Sequence, residues 1–405
     1  MKRSGGFGRN ERGAILAQGA IIFLGLLAIT TFVVDYGVLW VGRHQAQNSA
    51  DAGALAGATA LFYDSMTDRT DAGPAKQSAY HVAHGNYIVG QSPNIDITTD
   101  ITFPTCPDGS NRCIKVNVFR NEQRGNALPM IFGRIVGLGA QGVRATATGE
   151  AAVGNASNCL KPWVIVDRWQ EDNVPPSPST FDKWQKQGND ITQIANPDAY
   201  IPSSSDPPSL GSGYNTQYDL GAELTLKVGN PQGAISPGFY FPIDLPVAPT
   251  GDVITGGAQY RTNIATCTGY PVSIGDTVVP ENGNMVGPTA QGVAALVALD
   301  PNAQWDSTNK TIINSCATAT PSCGPISPRV VAIAMVNPDP LQYSMLSTGG
   351  KNLQLTVVNI LGFFVNAVKG NGDVTGYLTM VPGLTIGTPT INPGNAFTVN
   401  IMLVR

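Results

Sequence analysis

The longest apolar stretch of the chain is Ala14–Val34, twenty-one positions without a single charged side chain. At about 1.5 Å of rise per residue a helix of that length spans roughly 30 Å, the thickness of a bilayer core, so the pattern predicts a transmembrane helix. A cleaved secretory signal is the rival reading. The run exceeds the usual ~7–15-residue signal core, and no small-x-small site closes it. Beyond it the pattern changes. Asp35–Tyr63 still reads as helix, free of Pro, but from Gln45 onward it is mostly Ala, Gly, Ser, Thr, Asn and Asp, with Leu55 and Leu61 as the main large apolar side chains. "GPAKQSAYHVAHGNY" (Gly73–Tyr87) predicts a second helix with Pro74 in its first turn. "NIDITTDITF" and "CIKVNVFR" alternate with period two and read as strands, with a Pro-Asp-Gly turn between them. "ALPMIFGRIVGLG" predicts a short apolar helix and "GVRATATGEAAV" a further strand. The order α-β-β-α-β makes residues 65–153 a small α+β layer.

From Asn158 the runs become strand-like throughout: "PWVIVD", "LTLKVG", "YPVSIGDTVV", "RVVAIAMV", "LQLTVVNILGFFVNAV", "VTGYLTMV" and "AFTVNIMLV". Turn clusters separate them, two of them Pro/Ser-rich (Val174–Ser179 and Ile201–Ser209). No internal repeat is visible. This predicts an all-β region, a sandwich or a distorted barrel with long loops. The fold class expected is therefore α+β: residues 1–13 a basic cytoplasmic tail, 14–34 a transmembrane helix, 35–64 an Ala-rich helix, 65–153 a small α+β region, and 154–405 a large mainly-β periplasmic domain.

Charge fixes an orientation. Lys2, Arg3, Arg9 and Arg12 precede the apolar run, opposed only by Glu11, so the positive-inside rule puts the N-terminus in the cytoplasm and the remainder outside. The formal net charge is −4, and no basic surface advertises nucleic acid. Gly and Pro, 46 and 30 residues, favour short strands joined by turns. The six cysteines suit an exported chain. Cys106 and Cys113, and likewise Cys316 and Cys323, lie seven apart across turn residues, which leaves Cys159 for Cys267. Zinc and buried free thiols are the alternatives, and no CxxC or nearby His supports zinc.

Few residues carry chemistry. His81 and His84 share a helix face but lack a third ligand. "GLGAQG" (Gly137–Gly142) matches GxGxxG in the wrong strand–helix order, and "STGGKN" lacks the first Gly and the Ser/Thr of a P-loop. "DPNAQWDSTN" (Asp300–Asn309) spaces oxygen ligands for calcium without the Gly and Glu of an EF-hand. In "VDRWQEDN", Asp167, Glu171 and Asp172 with Trp163 and Trp169 are the candidates if the chain is a polysaccharide-binding module or hydrolase of the cell envelope. No catalytic, cofactor or metal site is assigned, and the chain reads as a non-enzyme.

The small residues of the second helical segment have a packing reading. Gly53–Gly57 and Ala46–Ala50–Ala54–Ala58 recur every four positions, a face that lets another helix or a sheet approach closely. It is also a candidate homo-oligomer contact. The alternative is that Ala simply makes good helix. Asp35, the first charge past the apolar run, reads either as a boundary marker hydrated at the headgroups or as the partner of a cationic group on another helix.

The stretch "ERGAILAQGAIIFLGLLAITTFVVDYGVLWVGRHQAQNSADAGALAGATAL" resembles the N-terminal segment of TadG-like proteins of the tight-adherence (Flp pilus) system. Arg12-Gly13-Ala14, Asp35, Gly37, Arg43, Gln47 and the block from Ala50 carry the match, which covers about an eighth of the chain. "CLKPWVIVDRW", "NMVGPTAQGVAALVALDPNAQW" and "SPRVVAIAMV" resemble the exported part more loosely. The resemblance implies a bitopic inner-membrane protein with a periplasmic domain, working with other pilus-assembly proteins to assemble or anchor a Flp-type pilus. The DxSxS metal motif of some relatives does not occur here. Gln18 stands where prepilin-type substrates carry Glu five residues after the cleaved Gly, which weighs against processing after Gly13.

Overall fold

The computed structural model describes residues 11–404 apart from 64–67, 108, 173–179, 231, 282, 284, 319–321 and 324–325. Lys2, Arg3 and Arg9 of the basic tail, Asp108 of the Pro-Asp-Gly turn and the Val174–Ser179 loop lie outside the described residues. The chain divides into two units, Met1–Ala151 with Ile401–Arg405, and Ala152–Asn400.

In the first unit the apolar run and the small-residue segment are one helix, α1 (Glu11–Tyr63). Nothing breaks it because it contains no Pro and is rich in Ala and Leu, the strongest helix formers. Its described side chains from Ile15 to Val34 are all exposed. Burial starts at Asp35 and continues through Gly42, Ala46, Ser49, Ala50, Gly53, Ala54, Gly57, Ala58 and Leu61, a stripe with helical period. One side of that stripe meets α2 (Pro74–Gly85), which begins with Pro in its first turn, where the missing N–H costs nothing. The other side meets an antiparallel sheet of β1 (Ile101–Thr102), β2 (Cys113–Arg120) and β3 (Val143–Val153), with Ile101 opposite Val116 and Cys113 opposite Glu150.

The spacing explains the composition. A Cβ on Gly53 would stand 2.7 Å from the Ala83 Cβ and 3.0 Å from the Ala79 carbonyl oxygen of α2. One on Gly57 would stand 2.7 Å from the Ile114 Cδ1 and 2.9 Å from the Ala79 Cβ. On the sheet side, a Cβ on Gly149 of β3 would collide with the Ala54 carbonyl. Ser49 donates its hydroxyl to the Ala83 carbonyl at 2.8 Å, bridging the two helices in the dry contact. Ala46, Ala50, Ala54 and Ala58, all fully buried, fill the remaining space with Ala75, Ala79 and Ala83.

Two local expectations are corrected. Asn94–Phe103 is a strand only at β1, because Asp96 accepts from the Thr98 and Thr99 amides and Asp100 accepts from the Asp96 amide, so turn bonds replace a ladder. Ala127–Gly139 is not an α-helix. Leu128–Pro129 pairs with Ala140–Gln141, and only Gly133–Val136 makes a 3₁₀ turn, ended by Gly137 at φ 86°. Three glycines in seven residues remove its helical preference.

The second unit is mainly β. Its strands are β4 (Leu160–Val166), β5 (Glu223–Val228), β6 (Phe239–Asp244), β7 (Thr277–Pro280), β8 (Val330–Val336), β9 (Leu355–Val368) and β10 (Val374–Leu378). The pairings β4–β8, β8–β9, β9–β10, β10–β5, β5–β6 and β6–β4 close into a six-stranded ring, a distorted barrel, with β4–β8 and β5–β6 parallel. β7 bridges β6 and β9. The region is not all-β. Helices α3 (Gly257–Ala265), α4 (Val286–Ala298) and α5 (Pro338–Thr348) belong to it.

These helices account for the apolar runs. β4 and β8 are buried along nearly their whole length, as expected of strands covered on both faces. Val164, Val166, Ala332, Ala334 and Val336 join one core, while the alternate residue Trp163 donates its indole N–H to the Tyr260 hydroxyl of α3 at 2.8 Å. Tyr260 bonds in turn to Thr289 of α4.

The helix contact yields a prediction. Gly57→Leu should lower stability by about 1–3 kcal/mol through overpacking against Ile114 and Ala79. Gly37→Ala on the same helix, with nothing within 4 Å of the added carbon, should be neutral or mildly stabilising. Thermal unfolding of the two variants checks the difference.

Candidate functional site

Asp35 is the first charged residue past the apolar run, and the structure gives it partners inside the chain. Its carboxylate accepts from the backbone amides of Ile131 (2.9 Å), Phe132 (3.1 Å) and Gly133 (2.5 Å), and the residue is 8% exposed. The sequence reading placed it in headgroup water or against a cation of another helix. Within the chain its partners are backbone amides of a remote loop. Three consecutive N–H groups aimed at one point neutralise a carboxylate as an anion-binding nest does. The same contact ties the 130–138 loop to the helix at the end of its apolar run. Sequence reasoning missed this because the donors are backbone groups ninety-six and more positions away, without a side-chain signature.

The remaining residues singled out on the helix are brought together. Gly53 and Gly57 lie in the α1–α2 contact, and Ala46, Ala50, Ala54 and Ala58 belong to the same core. The six cysteines form three disulfide-distance pairs, Cys106 with Cys113, Cys159 with Cys267 and Cys316 with Cys323, at Cα separations of 5.3, 4.4 and 5.4 Å. Glu150 stands by the first pair, but sulfurs joined to each other offer no thiolate to a metal.

The carboxylates proposed for sugar chemistry do not share a cleft. Asp167 is buried and accepts from the Tyr214 amide (2.9 Å), the Arg168 amide (2.8 Å) and the Tyr200 hydroxyl (3.0 Å), a clamp on the 200–214 loop. Burial outweighs these donors and pushes its carboxyl up to about 6. Glu171 accepts from the Trp169 indole at 3.0 Å, and Asp172 is exposed. Trp163 and Trp169 are core residues, 0% and 8% exposed, and present no platform for a sugar. In the Asp300–Asn309 segment the Asp300 carboxylate accepts from the Ser315 and Ser327 hydroxyls and the Cys316 amide, and Asp306 accepts from Thr308 and Asn309. The Asp300 oxygens therefore bind remote groups, and the Asp306 oxygens close a local turn. His81 and His84 pack against Tyr80.

A different acidic pair does line a cleft. Asp244 at the end of β6 and Glu281 just past β7 hydrogen-bond through their carboxyls, beside a cavity of about 1020 Å³ that also takes Asn230, Gln232 and the Gly349-Gly350-Lys351-Asn352 loop. Burial, with Glu281 next to it, pushes Asp244 up to about 7. Glu281 also accepts from the Gly256 amide at 2.7 Å. Carboxyls in direct contact share a proton. They leave no room for the sugar and water that glycosidase pairs separated by about 5–5.5 or 6.5–9.5 Å admit. Thirty-six intervening residues and the lack of a sequence motif hid this pair from the sequence.

Residues 13–60 match the family described as "Putative Flp pilus-assembly TadE/G-like". The matched TadE/G-like segment is α1 almost end to end: the apolar run, Asp35 and the small-residue stripe. No curated protein and no solved structure matches the chain.

Two predictions follow from these groups. Asp35→Asn keeps the size of the side chain but turns an amide NH₂ toward backbone donors, so amide exchange at Ile131, Phe132 and Gly133 should accelerate several-fold while that of Ile114–Val118 stays unchanged; hydrogen-exchange mass spectrometry reads both. The acidic groups set a pH dependence of the opposite sign to an ordinary ion pair. Asp244 and Asp167 hold protons in the folded state that the unfolded chain releases near the ordinary carboxyl value of 3.8. Stability is therefore lost as pH rises from about 4 through about 7. The thermal midpoint of the β unit should be higher at pH 5.5 than at pH 7.5, and Asp244→Asn should flatten that slope.

Proposed function

We propose that this chain is a single-pass inner-membrane protein, with its N-terminus in the cytoplasm and the chain beyond the apolar run in the periplasm, that serves as a structural component in the assembly or anchoring of a Flp-type pilus. The observation that carries the reading is the coincidence of the TadE/G-like match with α1. The matched segment is the one described helix long and apolar enough to cross a bilayer, with a mean hydropathy of 2.1 over its best window, and it is also the central helix of the first unit's core. An anchor that continues unbroken into a folded core transmits position from the membrane to the unit, which is what an assembly scaffold requires. Four basic residues ahead of the apolar run support the orientation, and three cysteine pairs at disulfide distance suit an oxidising compartment. The other pilus-assembly proteins are the partners expected, and the role needs no catalysis.

A hydrolase of the cell envelope is the second reading, and the one observation in its favour is the Asp244–Glu281 cleft. Asp244→Asn and Glu281→Gln separate the two: a pilus component keeps its function in both variants, an enzyme loses it.

The orientation is checked with reporters fused after Leu61. Alkaline phosphatase should be active there and a cytoplasm-dependent fluorescent protein dark; the reverse pattern overturns the topology. Deletion of the gene should abolish surface pili, restored by the full chain and not by residues 1–63 alone.

A further inference from the structure

The loop that Asp35 holds against α1 carries apolar side chains with no protein partner to cover them. Ile131 is 59% exposed and Leu138 52% exposed, and Phe132 is only partly covered. Between this loop and the helix lies a groove of about 560 Å³ that runs along α1 from Leu24 past Phe32 and Asp35 to Leu39, with Met130, Phe132 and Leu138 of the loop on its other wall. The depth of that groove is informative. Leu24 is eleven residues before Asp35, about 16 Å down the helix axis, well inside the stretch whose length matches a bilayer core. The loop side chains therefore line a groove whose helix wall continues below Asp35 to the middle of the apolar run.

The flanking residues mark the same boundary. Tyr36 and Trp40, both 58% exposed, stand about 2 and 8 Å past Asp35 along the helix, where aromatic side chains gather at membrane interfaces. Arg134, at the tip of the loop, is exposed and long enough to carry its charge to headgroup phosphates. The Asp35 carboxylate is taken up by three backbone donors, and those donors are the groups the loop would otherwise leave unsatisfied in hydrocarbon. A non-helical segment survives at membrane depth only where its backbone polar groups find partners in protein.

We propose that the Met130–Leu138 loop is a second membrane contact: it dips into the outer leaflet beside α1, and the groove between them holds a phospholipid acyl chain. The inference rests on the single-pass reading of α1. Lipid is the occupant because the groove is continuous with the exposed apolar surface of Ile15–Val34, so whatever solvates that surface also fills the groove. Two attachments, a spanning helix and an embedded loop joined at Asp35, fix the first unit's rotation and tilt on the membrane, which a lone helix leaves free.

The test uses the full chain reconstituted in phosphatidylethanolamine/phosphatidylglycerol vesicles, with single introduced cysteines carrying an environment-sensitive fluorophore and nitroxide quenchers on the lipid acyl chains. Ile131→Cys and Leu138→Cys are the probes. Phe23→Cys reports the membrane span, and Thr59→Cys, exposed and about 36 Å along the helix from Asp35, reports the water side. The expected result is quenching at Ile131 and Leu138 to the extent seen at Phe23, with Thr59 unquenched. Quenching at Phe23 with none at Ile131 and Leu138 overturns the loop contact and leaves the anchor intact. No quenching at Phe23 overturns the anchor itself. If Ile131 and Leu138 are unquenched and instead crosslink to a second copy or to a pilus subunit, the groove is a protein-docking site and the lipid proposal fails.

Discussion

The first unit depends on how closely one helix backbone can approach its neighbours. α1 passes between α2 and the sheet with no room for side chains beyond a methyl group: Gly53 and Gly57 against Ala79 and Ala83 on one side, Ala54 against Gly149 on the other. Burial of apolar surface in this contact comes from many small groups, and its strength lies in packing density and not in large side chains. Such a contact is unforgiving. A single added branch at Gly53 or Gly57 has little space, because it meets backbone and Cβ atoms of α2 and, at Gly57, the Ile114 side chain of the sheet.

The same geometry explains why the helix changes composition at Asp35 without changing conformation. Before that residue large apolar side chains face outward, the arrangement of a helix solvated by lipid. After it the helix must enter a protein core, and its buried stripe shrinks to Ala, Gly and Ser. Asp35 stands at the junction, a charge made tolerable by three amides of the 130–138 loop. It settles where the loop lies as much as the loop settles it.

In the β unit a different constraint governs. Its strands close into a ring of mixed direction, and parallel neighbours such as β4 and β8 require long connections. The connection from β4 to β8 supplies α3 and α4, and α5 follows β8 before β9; these helices cover strands that would otherwise be exposed on one face. Polar groups trapped by this double coverage are satisfied locally, Tyr260 with Trp163 and Thr289, and Asp300 with two serine hydroxyls and an amide. Asp167 and Asp244 are acids of the same unit, and loss of solvent raises the carboxyl of each toward the protonated form.

What the sequence determined by itself was whatever depends on local pattern. Charge-free length and period specify a bilayer-length helix; the four-residue recurrence of small side chains marks the stripe of α1 for close contact; alternation marks β2, and apolar strand-like runs mark β4, β8 and β9. The resemblance of the N-terminal segment to TadG-like proteins rests on residues contiguous in the chain, and residues 13–60 match that family. Tertiary structure decided the rest, because the deciding partners are remote. Asp35 finds its acceptor role only where a loop ninety-six residues on delivers three N–H groups. Ala127–Gly139 reads as an apolar helix in isolation, but its amides go to Asp35 and its ends pair with each other. α4 and α5 lie among apolar runs whose short-range pattern does not separate a buried strand from a buried helix. Ring closure, which turns a list of strands into a barrel, depends on pairings between segments as distant as β4 and β8. No local rule of side chain or spacing encodes which strand is to be the neighbour.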